Sequence, residues 1–158
     1  MGKLDYLHYA EADYKFAADT YKAGIRGNML CTIAEQACEK YIKHVICLLE
    51  NKDSSDPSQT IRFPLDETHH PGKLARKLRD YGEHIPGSFV HQMNSMQSYY
   101  RDVRYPGYYT AHDADEEEIQ DCMKIMTECR SFCQRLIKNI ETKRDAEKDN
   151  EDIDFGVY

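Results

Sequence analysis

The sequence predicts an all-α protein, an antiparallel bundle of four main helices plus a short one. Three observations predict it. Apolar residues recur at steps of three and four through most of the chain, no strand-like alternation persists, and Gly- or Pro-containing breaks separate the periodic stretches. A length of 158 residues suits one domain with its own core, and 41% hydrophobic with 31% charged residues is the composition of a folded chain. Four main helices around one core are the expected arrangement for such a pattern.

The first helix is carried by Leu4, Leu7, Ala10, Tyr14, Ala17, Ala18 and Tyr21, and it ends near Gly24 and Gly27. Asn28 is the expected N-cap of the second, whose stripe of Leu30, Ile33, Ala34, Ala37, Tyr41, Ile42, Val45, Ile46 and Leu49 is broad enough to make it the most buried helix. On it, Glu39 and Lys43 stand four apart with the acid first, the favourable orientation for a helical ion pair. Residues 51–68 read as a polar loop long enough to be functional or mobile, with Phe63 and Leu65 pinning its second half to the core. His69-His70-Pro71-Gly72-Lys73 opens the short helix, which sets Leu74, Leu78 and Tyr81 on one side and Arg76, Lys77 and Arg79 away from that stripe. After Pro86-Gly87, Ser88 is the expected cap of a helix carrying Phe89, Val90, Met93, Met96, Tyr100 and Val103. Asp113, with Glu116 three residues on, forms a capping-box pattern for the last helix, whose apolar face runs from Ile119 to Ile140. That helix is expected to continue into a charged segment, so residues 1–140 form the domain and 141–158 an extension. Its apolar end, Ile153–Tyr158, is expected to dock on the domain or on a partner.

Net charge is −7, which argues against broad nucleic-acid affinity. The acids are unevenly spread: residues 141–158 carry seven against three bases, whereas residues 62–104 hold seven bases against five acids. The middle of the chain is therefore locally positive. Six cysteines include Cys31/Cys38 and Cys122/Cys129, each pair seven apart and so on one helical face. This reads as core filling by reduced thiols, with a zinc site the alternative that lacks the usual ligand spacings. No apolar run approaches a membrane span, and the first residues lack a signal peptide's continuous apolar stretch, so the expected location is cytoplasmic.

The positive middle leads into Tyr99-Tyr100-Arg101-Asp102-Val103-Arg104-Tyr105-Pro106-Gly107-Tyr108-Tyr109-Thr110-Ala111-His112, the densest polar and aromatic stretch of the chain. No other window gathers so much polar and aromatic functionality where the helical period stops. The plain alternative is a tyrosine-rich connection covering the bundle, with Arg104 fastened to Asp102 or Glu39.

Three segments resemble one family. Ala34-Glu35-Gln36-Ala37-Cys38-Glu39-Lys40-Tyr41-Ile42-Lys43 is similar to the second-helix signature of HEPN domains, Gln-Ala-x-Glu-Lys-x-x-Lys. His70 with Leu74 and Leu78 resembles the start of their next helix. Arg104-Tyr105-Pro106 resembles the Arg-Tyr-Pro of one branch, small prokaryotic HEPN proteins associated with minimal nucleotidyltransferases. The resemblance implies a helical bundle, commonly a homodimer, with its polar motif at a cleft between subunits. It also implies binding of nucleotide or RNA, or metal-independent RNA cleavage as the toxin of a toxin–antitoxin pair with a nucleotidyltransferase. A third option is a non-catalytic interaction module. On this basis Arg101, Arg104, Tyr100, Tyr105, Tyr108, Tyr109, Glu39 and Lys43 are the expected ligand-binding residues, with no metal and no cofactor. In the ribonuclease reading His112 takes the 2′-hydroxyl proton and Arg104 stabilises charge on the phosphate. Seven residues separate them, more than in the family's ribonuclease branch, and Pro106-Gly107 lies between. Nucleotide or RNA binding is therefore the leading expectation and cleavage the alternative.

Overall fold

The other helices of the computed structural model, which describes residues 2–155, are built around α2 (Asn28–Leu49). Fifteen of the 22 residues of α2 are buried, as a helix apolar on nearly every side requires. Helix α1 (Tyr6–Lys22), helix α5 (Glu116–Phe155) and the pair α3 (Pro71–Asp80) and α4 (Gly87–Gln97) all pack on it. No strand occurs among the described residues. The core is the predicted one, with Tyr41, Ile42, Ile46, Leu74, Leu78, Met93, Met96 and Met126 all fully buried. All six cysteines are free and buried within it, and burial pushes the Cys47 thiol up to about 11.

Helix α1 begins where Asp5 accepts a hydrogen bond from the His8 amide at 2.9 Å, and the chain turns out of it at Gly24, whose φ of 80° suits glycine. The other expected caps are rearranged. Gly27, and not Asn28, precedes α2, because the Asn28 amide is used elsewhere. It donates to Asp113 Oδ1 at 2.8 Å and accepts from the Ala114 amide at 2.8 Å. Asp113 is thereby withdrawn from α5. The capping box forms two residues later: Asp115 accepts from the Glu118 amide, and the Asp115 amide donates back to Glu118 Oε1. Glu116 instead holds Arg26 at 2.8 Å. Ser88 is not a cap either, since the Pro86 carbonyl takes the Phe89 and Val90 amides directly.

Helix α4 is shorter than its apolar stripe suggests. It ends at Gln97 and tightens into a 3-10 turn at Ser98–Tyr100, leaving Val103 buried in the loop that follows. In the 51–68 loop Phe63 packs on the core, edge-on to Tyr6, but Leu65 is 91% exposed and pins nothing. Helix α5 runs on past Ile140 through the charged segment, at 40 residues spanning about 60 Å. The expected docking of Ile153–Tyr158 rests on side chains that lie outside those described. No helix of the described residues is long and apolar enough to cross a membrane.

Candidate functional site

The loop from Arg101 to His112 is closed on itself around Asp102, which is 7% exposed. Asp102 Oδ1 accepts from Thr110 Oγ1 at 2.7 Å and from Arg101 Nε at 3.0 Å, while its carbonyl accepts from the His112 amide at 2.9 Å. The tie joins the two ends of the tyrosine-rich stretch, with Gly107 at φ 91° making the turn between them. Arg101 holds Asp102 through its Nε. Arg104 places its guanidinium 5.3 Å from the Tyr105 ring centroid.

Two concavities flank this loop. The first, about 600 Å³, lies between α3, α4 and the loop. Helix α3 presents His70, its N-cap, with Lys73 and Arg76, three and six residues on along one face. Helix α4 and its 3-10 turn present Asn94, Gln97 and Ser98, and the loop adds Arg101, Tyr105 and Tyr108. Three permanent cations and two phenols thus face one space with no carboxylate in the lining. Lys73 also reaches the Asp66 carbonyl at 3.1 Å, and the Arg101 guanidinium lies 5.0 Å from the Tyr108 ring centroid. The Arg76 side chain makes no hydrogen bond or ion pair among the described residues.

The second concavity, about 340 Å³, brings Arg104 and His112 together with Asp102, Tyr105 and Pro106. The pair read from the sequence as catalytic therefore lines one space despite its long spacing. The histidine, however, is fully engaged. Its Nδ1 is 2.6 Å from the Thr110 carbonyl and its Nε2 2.7 Å from Glu118 Oε2, two acceptors that require both nitrogens to donate. These contacts, the Thr110 carbonyl first and Glu118 second, raise its pKa above the usual 6.5. So held, the ring is an imidazolium without a lone pair for a ribose proton, and acting as a base requires it first to release one acceptor.

The remaining expected residues divide. Tyr105 lines both concavities, and Tyr109 is fully exposed and lines neither. The side chain of Tyr100 lies outside the described residues. Glu39 and Lys43 are buried on α2 and line neither space. They also do not form the ion pair their spacing suggests: Lys43 Nζ donates to Thr68 Oγ1 at 2.9 Å, and Glu39 Oε1 faces His69 Nδ1 at 3.5 Å. Burial draws the Lys43 pKa down. Beside them Glu35 is fully buried, and neither of its oxygens meets a protein donor. Burial, with the Glu39 carboxylate one turn away, raises its pKa far above the usual 4.5 and keeps it protonated.

Sequence reasoning missed His70, Lys73 and Arg76 as one row, and missed Asn94 and Gln97 altogether. The step of three in 70, 73 and 76 was the available signal; nothing local marks Asn94. Among the described residues no group of three or more His, Cys, Asp or Glu side chains is placed to hold a metal ion.

A family model for the HEPN domain matches residues 4–136, from the start of the bundle to the middle of α5. No curated protein and no solved structure gives a match. The matched span contains all the elements that line both concavities, and the all-helical architecture around α2 agrees with it. The chain belongs to the HEPN domain family.

Proposed function

We propose that this chain binds a nucleotide or a short stretch of RNA in the concavity between α3, α4 and the 101–112 loop. The observation that carries the reading is the lining itself: Lys73, Arg76 and Arg101 converge with Tyr105 and Tyr108, and no carboxylate joins them. Convergent cations suit phosphate, and the phenol rings suit stacking on a base or donation to phosphate. The chain as a whole, at −7, disfavours a long polyanion and favours a small ligand in this space. Calorimetric titration with ADP and with a short 5′-phosphorylated RNA tests it. Arg76→Ala and Arg101→Ala are each expected to weaken binding by about tenfold or more, since a hydrogen bond to a charged group is worth about 1.5–3 kcal/mol. Unaltered affinity in both variants would sink the assignment. Arg104→Ala, on the other concavity, is expected to have the smaller effect.

One observation favours a second reading, metal-independent endoribonuclease action, namely that Arg104 and His112 line a common space. Its product is RNA ending in a 2′,3′-cyclic phosphate. An RNA panel left intact by folded protein in EDTA removes it.

Homodimer formation, and pairing with a nucleotidyltransferase in a toxin–antitoxin arrangement, belong to the same proposal. They are supported by the family and by the Arg104-Tyr105-Pro106 resemblance. Light scattering and co-purification with the product of a neighbouring gene test them. A cytoplasmic location is supported by six free buried thiols, which suit a reducing compartment.

A further inference from the structure

The two helical walls of the candidate pocket differ in chemistry. The α3 wall is cationic, with Lys73 and Arg76, whereas the α4 wall is neutral, with the amides of Asn94 and Gln97 one turn apart. Neither amide makes a side-chain hydrogen bond among the described residues, so neither is committed to another side chain. Asn94 is also positioned from across the pocket. A Cβ placed on Gly72 would lie 1.7 Å from Asn94 Oδ1 and 3.2 Å from its Cα, so the amide rests directly on the backbone of α3 through a gap only glycine leaves.

We infer that Asn94, seated on Gly72, is the specificity-determining residue of this pocket and selects an adenine nucleotide. The inference rests on the nucleotide-binding reading above and deepens it. A carboxamide offers one acceptor and one donor side by side. Adenine presents such a pair on two edges, its amino donor being flanked by two ring-nitrogen acceptors, whereas cytosine presents it on one, and Asn or Gln is the usual bidentate partner of adenine. The polarity of the pocket fits one orientation: phosphates toward Lys73 and Arg76, the ring beside Tyr105 and Tyr108, and the base edge toward α4. A phosphate set against the amide wall would forgo the cations, and an apolar ligand would leave every one of these groups without a partner.

The test compares ADP with purine riboside 5′-diphosphate, which lacks only the 6-amino group, and uses inorganic pyrophosphate as a probe of the cationic wall. Wild type is expected to prefer ADP by about tenfold, the discrimination of one bidentate pair. Asn94→Ala is expected to bring that ratio close to one. Gly72→Ala, which forces the amide off its seat without changing its chemistry, is expected to lower the ratio in the same direction. Equal affinity of wild type for the two diphosphates, or a ratio preserved in Asn94→Ala, overturns the inference. If Gly72→Ala fails to fold, the exposed Asn94→Ala still decides the matter. The two levels separate cleanly. Pyrophosphate that binds wild type and is lost in Arg76→Ala, with no preference for ADP, removes only the adenine inference. Failure of ADP and pyrophosphate alike removes the pocket.

Discussion

Replacing Glu35 by glutamine is expected to stabilise this protein at neutral pH, although it alters a fully buried polar side chain. The reason lies in where the proton sits. Folded, Glu35 has no exposure, no protein donor for either oxygen, and the Glu39 carboxylate one turn away, so it stays protonated well above the usual 4.5. Unfolded, it ionises near 4.5. Folding must therefore return a proton to it. A carboxyl whose folded pKa is raised gives its full contribution below the unfolded pKa and loses it as pH rises toward the folded value. Each pH unit above the unfolded value costs about 1.4 kcal/mol, which amounts to about 3 kcal/mol at pH 7. That figure requires only that the folded pKa lie above 7. Glutamine keeps the shape and a donor toward Glu39 but takes up no proton. Its second amide hydrogen lacks an acceptor at a cost of about 1 kcal/mol, leaving a net gain of about 2 kcal/mol at pH 7. Urea unfolding of both proteins at pH 5, 6, 7 and 8 reads this directly. The stability difference in favour of Glu35→Gln is expected to widen by about 1.4 kcal/mol per unit. A difference that stays flat with pH, or that narrows as pH rises, would refute the reasoning.

Three further predictions follow from named contacts. The His112 ring should titrate above 6.5 by NMR, and Glu118→Gln should move it back toward that value; the clip it forms is complete below 6.5 and is lost as pH rises through the raised pKa, so titration at or below 6.5 would contradict the geometry. A thiol-specific chromogenic reagent is expected to find none of the six cysteines in the folded protein and all six in urea, and prompt reaction of one in native buffer would contradict their burial. Arg130 grips Glu11 through Nε and Nη2 at 3.0–3.2 Å, joining α5 to α1, so Arg130→Ala should cost about 1 kcal/mol in urea unfolding, and no loss would show the pair to be ornamental.

How much of the site was legible varies residue by residue. Arg101, Tyr105 and Tyr108 stand out as a local concentration of function where the helical period stops, and the structure places all three in the lining. Arg76 was visible, with Lys77 and Arg79, as a base facing away from the Leu74–Leu78 stripe, but only the position of α4 across from it and Lys73 makes a pocket. That Arg104 and His112 line one space was not legible from a spacing of eight positions, because it depends on the Asp102 tie that folds the loop back. Asn28 and Asp113 each carried a correct local signal for a helix cap and formed a contact with each other instead.

By itself the sequence determined the all-α class, the burial of α2 and the thiol-filled core. Each is set by the 3.6-residue period and by side-chain polarity, which act between neighbours in the chain. Only the tertiary structure decided what the polar residues do. Asn28 meets Asp113 85 residues away, and α3 closes on α4 at Gly72 and Asn94. Glu118 reaches back to hold His112 as a cation. A polar side chain's partner, and hence its charge and chemistry, is chosen by whichever donor or acceptor packing brings within about 3 Å, and no local pattern encodes that choice.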